Sequence, residues 1–500
     1  MARIYLTTTI PYVNAPPHLG FALEAVQADV LARHHRQRGD EVRLLTGTDD
    51  NSLKNVLAAQ AAGVGVREWV DRRADAIEAL RGPLALSYDD FIRTSSDKRH
   101  AAGVERLWRA CAAAGDLYRA RYEGLYCVGC ESYYAPEELT GGRCPEHGTV
   151  AEHLSEDNWF FRLSRYQAPL REAIASGRLR IEPAQRRNEV LALIDGGLRD
   201  FSVSRSRARA RGWGIGVPDD PDQVIYVWFD ALGNYVTSLD YGTDGPAWRH
   251  WWEGSDRRVH LLGKGVVRFH AVYWPAMLLS AGLPLPTDLL VHDYLTVDGR
   301  KISKSSGGGA DPVALVDRFG TDAVRWWLLR EVPRVGDTDF TVARLVERAN
   351  ADLAGGFGNL VNRVVTMVHR YRDGRVPAGP VDAGADVTRA RQAAAGAADR
   401  ALADADFRAA CAVVWRLVET ANRYVERTRP WELARAERGG DSAAGRRLDT
   451  ALSTLVAACR ELGERLRPLL PGAAAAITAQ CTATGGRLPD PRPLFPRHQV

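Results

Sequence analysis

The first fifty residues alternate between apolar strands and a helix, and this order constrains the fold more than any other feature of the chain. The segment Arg3–Ile10 is rich in β-branched residues, and Val42–Thr46 is a second apolar run. Prolines follow the first run, after which Leu23, Val26 and Val30 recur on one face of a helix. Strand, turn, helix and strand in this order predict a parallel α/β sheet of the kind that binds nucleotides.

The rest of the chain predicts several domains, because 500 residues are too many for one compact core. A cysteine-bearing, arginine-rich segment interrupts the α/β pattern, and strand candidates then return at Val224–Trp228, Val259–Leu262 and Leu289–His292. Apolar residues from Phe407 to Val425 repeat at spacings of four and three, which predicts an amphipathic helix in a helical C-terminal part. We expect a split α/β domain at 1–115 and 225–345, an insert at 116–224 and a helical domain at 346–500.

Composition excludes several classes of protein. The net charge of +4 is too small for a strongly basic nucleic-acid coat, although it permits a local basic patch. No apolar run approaches the roughly 18 residues of a membrane span, and Met1–Thr9 lacks the pattern of a secretory signal. Seven cysteines, an odd number, argue against a disulfide framework. We therefore expect a cytoplasmic protein that does not bind membranes.

Two short motifs carry groups suited to phosphate chemistry. The first begins the predicted helix with His18 and Gly20, where glycine permits close approach of a ligand and the helix N-terminus favours negative charge. The second is a glycine-rich loop that contains Lys301, Ser303 and Lys304, whose ammonium groups suit phosphates. Taken singly, an ordinary turn and a solvated loop remain alternative interpretations.

Taken together, the two motifs resemble those of a class I aminoacyl-tRNA synthetase. His18–Phe21 is similar to the HIGH motif and Lys301–Ser305 to the KMSKS motif. The resemblance is closest to the methionyl-tRNA synthetase family and extends over nearly the whole chain, with further similar segments at 11–15, 47–49, 226–231 and 269–278. It implies a Rossmann-type parallel sheet with a zinc-binding connective insert, followed by an α-helical anticodon-binding domain.

The resemblance also implies an activity and its catalytic groups. A family member uses ATP and Mg²⁺ to convert L-methionine into methionyl-adenylate, and then transfers the methionyl group to tRNA. His18, Lys301 and Lys304 correspond to the groups that stabilise the phosphates. The implied ATP-binding residues are Gly20, Lys264, Lys301, Ser303 and Lys304.

A pocket for the amino acid is implied in the same way. Aromatic walls suit a thioether, because sulfur gains from contact with aromatic rings, and Asp49 corresponds to the carboxylate that holds the substrate ammonium. Aromatic residues also pack in ordinary cores, but eight matches together favour a pocket. The matching residues are Ile10, Tyr12, Trp228, Ala231, Tyr235, Phe269, His270 and Trp274.

The insert contains four candidate ligands for a structural zinc ion. Cys127 and Cys130 form one CxxC motif, and Cys144 and His147 form a second pair with the same spacing. Thiolate and imidazole ligands at this spacing suit tetrahedral Zn²⁺, and the family carries a zinc knuckle in this insert. Buried thiols without metal are the alternative.

Three residues of the helical part match the family's readers of the CAU anticodon: Asn359, Arg363 and Trp431. Asn359 and Arg363 are one helical turn apart and therefore share a face. Amide and guanidinium groups read base edges, and an indole stacks on an unstacked base. The chain ends soon after this part, which leads us to expect a monomer.

Four departures from the family pattern fall near the implied catalytic centre: Phe21, Asn51, Gly265 and Asp293. They leave two alternatives to a methionine–tRNA ligase. One is a paralogue that adenylates an amino acid and passes it to a small-molecule amine or hydroxylamine, as in hydrazine-forming biosynthesis. The other is a catalytically inactive tRNA-binding protein.

Overall fold

The computed structural model describes residues 1–127, 132–134, 136–145, 148–297, 299–301 and 311–499. The strands are β1 (Arg3–Thr7), β2 (Glu41–Thr48), β3 (Asp90–Arg93), β4 (Leu117–Cys127), β5 (Ser132–Tyr134), β6 (Glu152–Phe161), β7 (Arg180–Glu182), β8 (Phe201–Ser202), β9 (Ser204–Ser206), β10 (Gly216–Val217), β11 (Asp220–Ile225), β12 (Arg257–Gly263), β13 (Asp288–His292), β14 (Leu295–Val297), β15 (Arg300–Lys301) and β16 (Thr338–Phe340).

The α-helices are α1 (Leu19–Gln37), α2 (Leu53–Ala61), α3 (Val66–Glu78), α4 (Lys98–Ala113), α5 (Gln167–Ala175), α6 (Ala184–Asp195), α7 (Val227–Leu232), α8 (Asn234–Thr237), α9 (Pro246–Trp248), α10 (Trp274–Ser280), α11 (Pro312–Phe319), α12 (Thr321–Arg330), α13 (Val342–Arg348), α14 (Asn359–Arg372), α15 (Asp386–Ala403), α16 (Phe407–Thr428), α17 (Pro430–Arg438), α18 (Ser442–Leu466) and α19 (Pro471–Cys481).

The chain divides into two compact units. The first contains residues 1–17, 38–80 and 87–292, and the second contains residues 18–37, 81–86 and 293–500.

A six-stranded parallel sheet forms the centre of the first unit, in the order β3-β2-β1-β12-β13-β7. Its middle is apolar: Leu6 on β1 aligns with Leu44 on β2 and with Val259 on β12. The predicted parallel α/β sheet is therefore confirmed, and its first two strands are those indicated by the β-branched and apolar runs. Parallel strands end at a common edge, where such sheets bind ligands.

One predicted strand of this sheet is wrong. Residues 224–228 do not join it, because β11 ends at Ile225 and pairs antiparallel with β9 and β10, while Val227 begins helix α7. A short apolar run buried on all sides does not distinguish a strand from a helix by periodicity. Asp219 adopts a left-handed conformation (φ 63°) and turns the chain between β10 and β11. The sixth strand of the sheet is instead β7.

The insert region of the first unit has an antiparallel sheet in the order β5-β4-β6-β8. Its two long strands pair continuously from Leu117–Phe161 to Tyr126–Glu152. Tyr126 and Cys127 end strand β4, and both residues are buried.

The second unit is mainly helical, as predicted for the C-terminal part. Helix α16 buries Cys411, Val414, Val418 and Val425, so the predicted amphipathic face is the buried face. A small sheet of β15, β14 and β16 precedes these helices. In the part of the chain that the structure describes, no helix has the length and hydropathy needed to cross a membrane.

Candidate active site

The carboxyl edge of the central sheet places Asp49 beside Tyr12. Strand β2 ends at Thr48, and the Asp49 N–H then donates to the Pro11 carbonyl at 2.9 Å, which continues the parallel pairing as a bridge between Tyr12 and Asp49. Asn55 Nδ2 donates to the Asp49 carbonyl at 3.0 Å. The Asp49 side chain is 3 % exposed. The backbone of a buried aspartate is thereby fixed beside Tyr12.

Aromatic side chains form a cluster close to Tyr12. The rings of Trp228 and Phe269 stack with centroids 3.7 Å apart and planes 3° apart, and Tyr12 meets Trp228 edge-on at 6.3 Å. Phe269 and His270 lie on a π-helical turn, Phe269–Tyr273, that continues into α10. Such turns are often found at functional sites.

Tyr235 and His270 form a hydrogen-bonded pair behind the cluster. His270 Nδ1 lies 2.9 Å from the Val266 carbonyl, so it carries the proton and donates. His270 Nε2, 2.7 Å from the Tyr235 hydroxyl, is then the acceptor, and Tyr235 donates to it. The imidazole is thereby held in one tautomer.

A second buried histidine supports this pair and was missed by sequence reasoning. His260 stacks on Tyr235 with ring centroids 4.1 Å apart, accepts at Nε2 from Trp274 Nε1 at 3.2 Å and contacts Thr7 Oγ1 through Nδ1 at 2.7 Å. Burial lowers the pKa of His260 well below its ordinary value, so the ring is neutral. Its one sequence signal was a histidine in the middle of an apolar strand.

The first unit therefore brings together most of the amino-acid-binding residues that the resemblance implied. Ile10 packs against the apolar core of this unit, and Ala231 is buried on α7. Lys264 follows β12 at the same edge of the sheet, on a short 3₁₀ turn. Lys54 places its Nζ 4.1 Å from the centroid of the Tyr12 ring.

His18 and Gly20 lie in the second unit, at the start of α1. The Gly20 N–H donates to His18 Nδ1 at 3.1 Å, so the proton of the neutral ring is on Nε2. The His18 side chain is exposed, yet the protein around it reduces its hydration and lowers its pKa from the ordinary 6.5. At neutral pH, His18 is therefore an uncharged hydrogen-bond donor.

Glycine at position 20 is required by the position of this imidazole. A Cβ built on Gly20 would lie 2.9 Å from His18 Cε1 and 3.0 Å from Nδ1. For the activity that the resemblance implies, we expect Gly20→Ala to displace the ring and lower kcat for adenylate formation by about 10- to 100-fold, because small misplacements of a reacting group are costly. Pyrophosphate exchange measures this.

The control is Gly65→Ala, since a Cβ there meets nothing within 4 Å and φ is not positive. The Gly20→Ala loss is expected to be absent in the background of His18→Ala. An unchanged kcat in Gly20→Ala would contradict this account of Gly20.

The implied phosphate loop is described only at its start. The backbone of Lys301 ends β15, which pairs antiparallel with β14, whereas Ser303 and Lys304 lie outside the described residues. Their assignment remains a prediction.

Asn51, one of the four departures, belongs to a buried polar network. Its Nδ2 donates to Asp230 Oδ2 at 2.8 Å and to the Thr94 carbonyl at 3.2 Å. Asp230 Oδ1 lies 2.5 Å from His100 Nε2, and the other ring nitrogen of His100 contacts Thr237 Oγ1 at 2.8 Å. Neither His100 nor Asp230 was indicated as functional by the sequence. Asn51 is thus held rigidly two residues after Asp49.

The other departures have simpler surroundings. Phe21 is buried on α1, and Gly265 is exposed after β12. Asp293 is buried and accepts a hydrogen bond from the Gly336 N–H at 2.5 Å.

Two of the four predicted zinc ligands lie in the described part of the insert. Cys127 and Cys144 are both buried, and the Cys127 sulfur is 3.5 Å from Thr149 Oγ1. The Thr149 carbonyl accepts from the Cys144 N–H at 2.9 Å, so both thiols belong to one turn region. Cys130 and His147 lie outside the described residues. Among the described residues, no group of three or more His, Cys, Asp or Glu side chains is placed to hold a metal ion.

The three predicted anticodon residues lie in the second unit. Asn359 is exposed at the start of α14, and Arg363 lies one turn later. The Arg363 guanidinium carbon is 5.6 Å from the centroid of the Trp431 ring, and its Nη2 donates to Glu426 at 2.8 Å. Arg363 and Trp431 therefore form one surface cluster.

The fold and these residues define a class I synthetase, and comparison with known proteins agrees. The chain belongs to the family of tRNA synthetases class I (M), which it matches over residues 4–153 and 136–365. It is 38 % identical to the methionine–tRNA ligase of Brucella suis over 519 aligned positions, covering 99 % of this chain and 98 % of that protein. It is 40 % identical to the Caldanaerobacter subterraneus enzyme of the same name, covering 93 % and 72 % of the two chains.

Comparison with a solved structure supports membership of the same family. Mycobacterium tuberculosis methionyl-tRNA synthetase in complex with methionyl-adenylate superimposes with a TM-score of 0.93 at 37 % identity, covering 99 % of this chain and 100 % of that chain.

Proposed function

We propose that the protein is an ATP-dependent methionine–tRNA ligase. The observation that carries this is the buried carboxylate of Asp49 beside a cluster of Tyr12, Trp228 and Phe269, in a chain whose structural relative binds methionyl-adenylate. The methionine carboxylate attacks the α-phosphorus of MgATP, and pyrophosphate leaves. The ribose hydroxyl of the tRNA end then attacks the acyl carbon, AMP leaves, and the hydroxyl proton passes to AMP or solvent.

The pocket residues recognise the two ends of the amino acid. Asp49 holds the ammonium group through a charge-assisted hydrogen bond, and the stacked rings of Trp228 and Phe269 line the side-chain site. The Tyr235–His270 pair is locked in one hydrogen-bonding state, so it offers the thioether a fixed polar contact. Ile10, Ala231 and Trp274 complete the walls.

His18, Lys301 and Lys304 stabilise the phosphates, with Gly20, Lys264 and Ser303 as further ATP contacts. A neutral His18 with its proton on Nε2 donates a hydrogen bond to a phosphate oxygen as charge develops there. Gly20 supports this because its backbone N–H donates to Nδ1 of the same ring.

The insert residues Cys127, Cys130, Cys144 and His147 would hold a structural Zn²⁺ ion. Support comes from the donor set and from the burial of both described thiols in one turn region. The metal would stabilise the insert and take no part in the reaction.

The helical part reads the CAU anticodon through Asn359, Arg363 and Trp431. We expect Arg363→Gln to lower kcat/KM for tRNA by about tenfold and to leave tRNA-independent pyrophosphate exchange unchanged, because one base-reading contact is lost. The matched control is Arg370→Gln, an exposed arginine two turns further along α14. Equal tRNA kinetics in both variants would refute the role of Arg363.

We further infer a monomeric, cytoplasmic protein of four parts, with residues 1–115 and 225–345 as the catalytic halves, 116–224 as the insert and 346–500 as the anticodon domain. The odd number of cysteines supports a reducing compartment.

Pyrophosphate exchange with a panel of amino acids tests the activation step, with and without tRNA. Exchange that depends on methionine and exceeds that with leucine or norleucine is expected. Exchange with a different amino acid, or none with any, would overturn the proposal.

A further inference from the structure

The segment that follows Leu488 contains prolines at alternate positions and forms neither helix nor strand. Pro489, Pro491 and Pro493 each fix their own φ angle, and each restricts the residue before it to extended conformations. Such a chain is extended before it is bound, so little conformational entropy is lost when other residues hold it. We term residues 488–498 the proline strap.

The proline strap contacts both ends of helix α14. At the C-terminal end of the helix, the Leu488 N–H donates to the Gly374 carbonyl at 2.8 Å, and His369 Nε2 donates to the Leu488 carbonyl at 3.1 Å. At the other end, the ring of Phe495 lies against Gly358, where a Cβ would be only 3.1 Å from Cδ2 of the ring. The absence of a side chain at Gly358 therefore lets the strap approach the backbone closely.

The length of the proline strap matches the length of the helix. The 14 residues of α14 span about 21 Å at a rise of about 1.5 Å per residue. A polyproline-type chain advances about 3.1 Å per residue, so the steps from Leu488 to Phe495 cover about 22 Å. Gly358 and His369 are about three helical turns apart and therefore share a face. The strap thus runs along one face of α14, from its end back to its start.

The strap is also fixed to the π-helical segment Ala349–Gly358, which runs directly into Asn359 at the start of α14. Asn350 Nδ2 donates to the His498 carbonyl at 2.8 Å, and Asn350 Oδ1 accepts from the His498 N–H at 2.8 Å. The His498 ring in turn meets Phe319 edge-on, with centroids 5.6 Å apart. The start of α14 is therefore held by this reciprocal pair of hydrogen bonds as well as by the ring at Gly358.

The strap leaves the proposed anticodon-reading residues of α14 uncovered. Asn359 and Arg363 are rotated by roughly 100–140° about the helix axis from Gly358, on a neighbouring face. The Arg363 guanidinium lies there beside Trp431. Recognition requires such side chains to be held within about 0.5 Å of their productive geometry. Contacts that fix the start of α14 therefore also fix the place of both side chains.

We propose that Phe495 and Asn350 are positioning residues for anticodon recognition. Through the proline strap they hold the start of α14, and with it Asn359 and Arg363, in the place where these two side chains meet the anticodon bases. The inference rests on the proposed function, because it concerns the residues proposed to read CAU. Loosening the strap weakens discrimination between anticodons and leaves adenylate formation unchanged.

The test compares Phe495→Ala and Asn350→Ala with Arg497→Ala, which shortens an exposed side chain of the same strap. Each protein is assayed for methionine-dependent exchange without tRNA, and for charging of a CAU tRNA and of the same tRNA with one anticodon base changed. For Phe495→Ala and Asn350→Ala we expect KM for the CAU tRNA to rise about fivefold, discrimination between the two tRNAs to fall by a similar factor, and exchange to stay within about twofold of the parent. Arg497→Ala is expected to match the parent protein.

Two further variants separate positioning from general stabilisation. In the Arg363→Gln background, Phe495→Ala is expected to lower discrimination by less than about twofold, because the contact that it misplaces is already lost. Phe495→Leu keeps an apolar side chain against Gly358 and is expected to retain most of the discrimination. Phe495→Leu and Asn350→Ala carry the test if Phe495→Ala does not fold.

Other results overturn the proposal. Full discrimination in Phe495→Ala and Asn350→Ala does so, as does an equal loss in Arg497→Ala or a fully additive loss in the Arg363→Gln background. A fall in exchange as large as the fall in charging shows that the strap supports the whole fold, which also overturns it. If the parent protein itself does not distinguish the two tRNAs, the proposed reading of CAU fails, and this inference falls with it.

Discussion

Asp49→Asn is expected to raise KM for methionine and lower kcat/KM in pyrophosphate exchange by about 100-fold, with little change in KM for ATP. Removing one partner of a buried charge pair costs about 3 kcal/mol, and each 1.4 kcal/mol is about tenfold. Asparagine keeps the size of the side chain and its place beside Tyr12, so the loss reports the charge. The bridge between residues 12 and 49 is made by backbone atoms and is retained.

A substrate analogue provides the control for Asp49. The deaminated analogue of methionine has the same carboxylate and thioether but no ammonium group, so it cannot gain from Asp49. The parent protein is expected to bind methionine much more tightly than this analogue, and Asp49→Asn is expected to bind both about equally. A variant that still discriminates between them would show that another group holds the ammonium.

Arg325→Met is expected to destabilise the second unit by about 3 kcal/mol, because it removes the buried partner of Asp29 and leaves that carboxylate paired with the half-buried Arg33. Arg325 and Asp29 are fully buried and lie 2.8 Å apart. Arg325 also donates to the carbonyls of Leu469 and Leu84, both at 2.9 Å, so the same side chain ties three segments of this unit together.

Urea denaturation followed by tryptophan fluorescence measures this effect, since Trp326 and Trp327 are buried on the same helix as Arg325. Arg318→Met, at an exposed position on α11, is expected to change the free energy of unfolding by less than about 0.5 kcal/mol. Asp29→Asn added to Arg325→Met is expected to restore part of the loss, because it removes a buried charge that has lost its fully buried partner. Equal stability of the two arginine variants would contradict the account.

The spacing of apolar residues along the chain was sufficient to predict the elements in which buried positions recur regularly. The β-branched run that begins at Arg3 forms a buried strand, and the spacing of four and three in α16 places its apolar residues on one buried face. Both elements were predicted correctly. Residues 224–228 were predicted wrongly because every neighbour there is apolar, and an apolar run fits a strand and a buried helix equally well.

The residues that support the site could not be predicted from the sequence, for a different reason. Asn51 contacts Asp230, and Asp230 contacts His100, across separations of 179 and 130 residues. His260 likewise meets Tyr235 only because β12 and α8 pack together. Such contacts depend on tertiary packing, whereas the residues of the pocket itself were predicted from their similarity to a known family.

Charging of a tRNA that carries the CAU anticodon tests the central claim most directly. Purified protein, ATP, radiolabelled methionine and this tRNA are incubated, and acid-precipitable label is counted. The account predicts ATP-dependent attachment of methionine to this tRNA, with strongly reduced attachment when the anticodon is changed. Methionine-dependent exchange without any attachment to tRNA would contradict it, and would indicate a small-molecule acceptor instead.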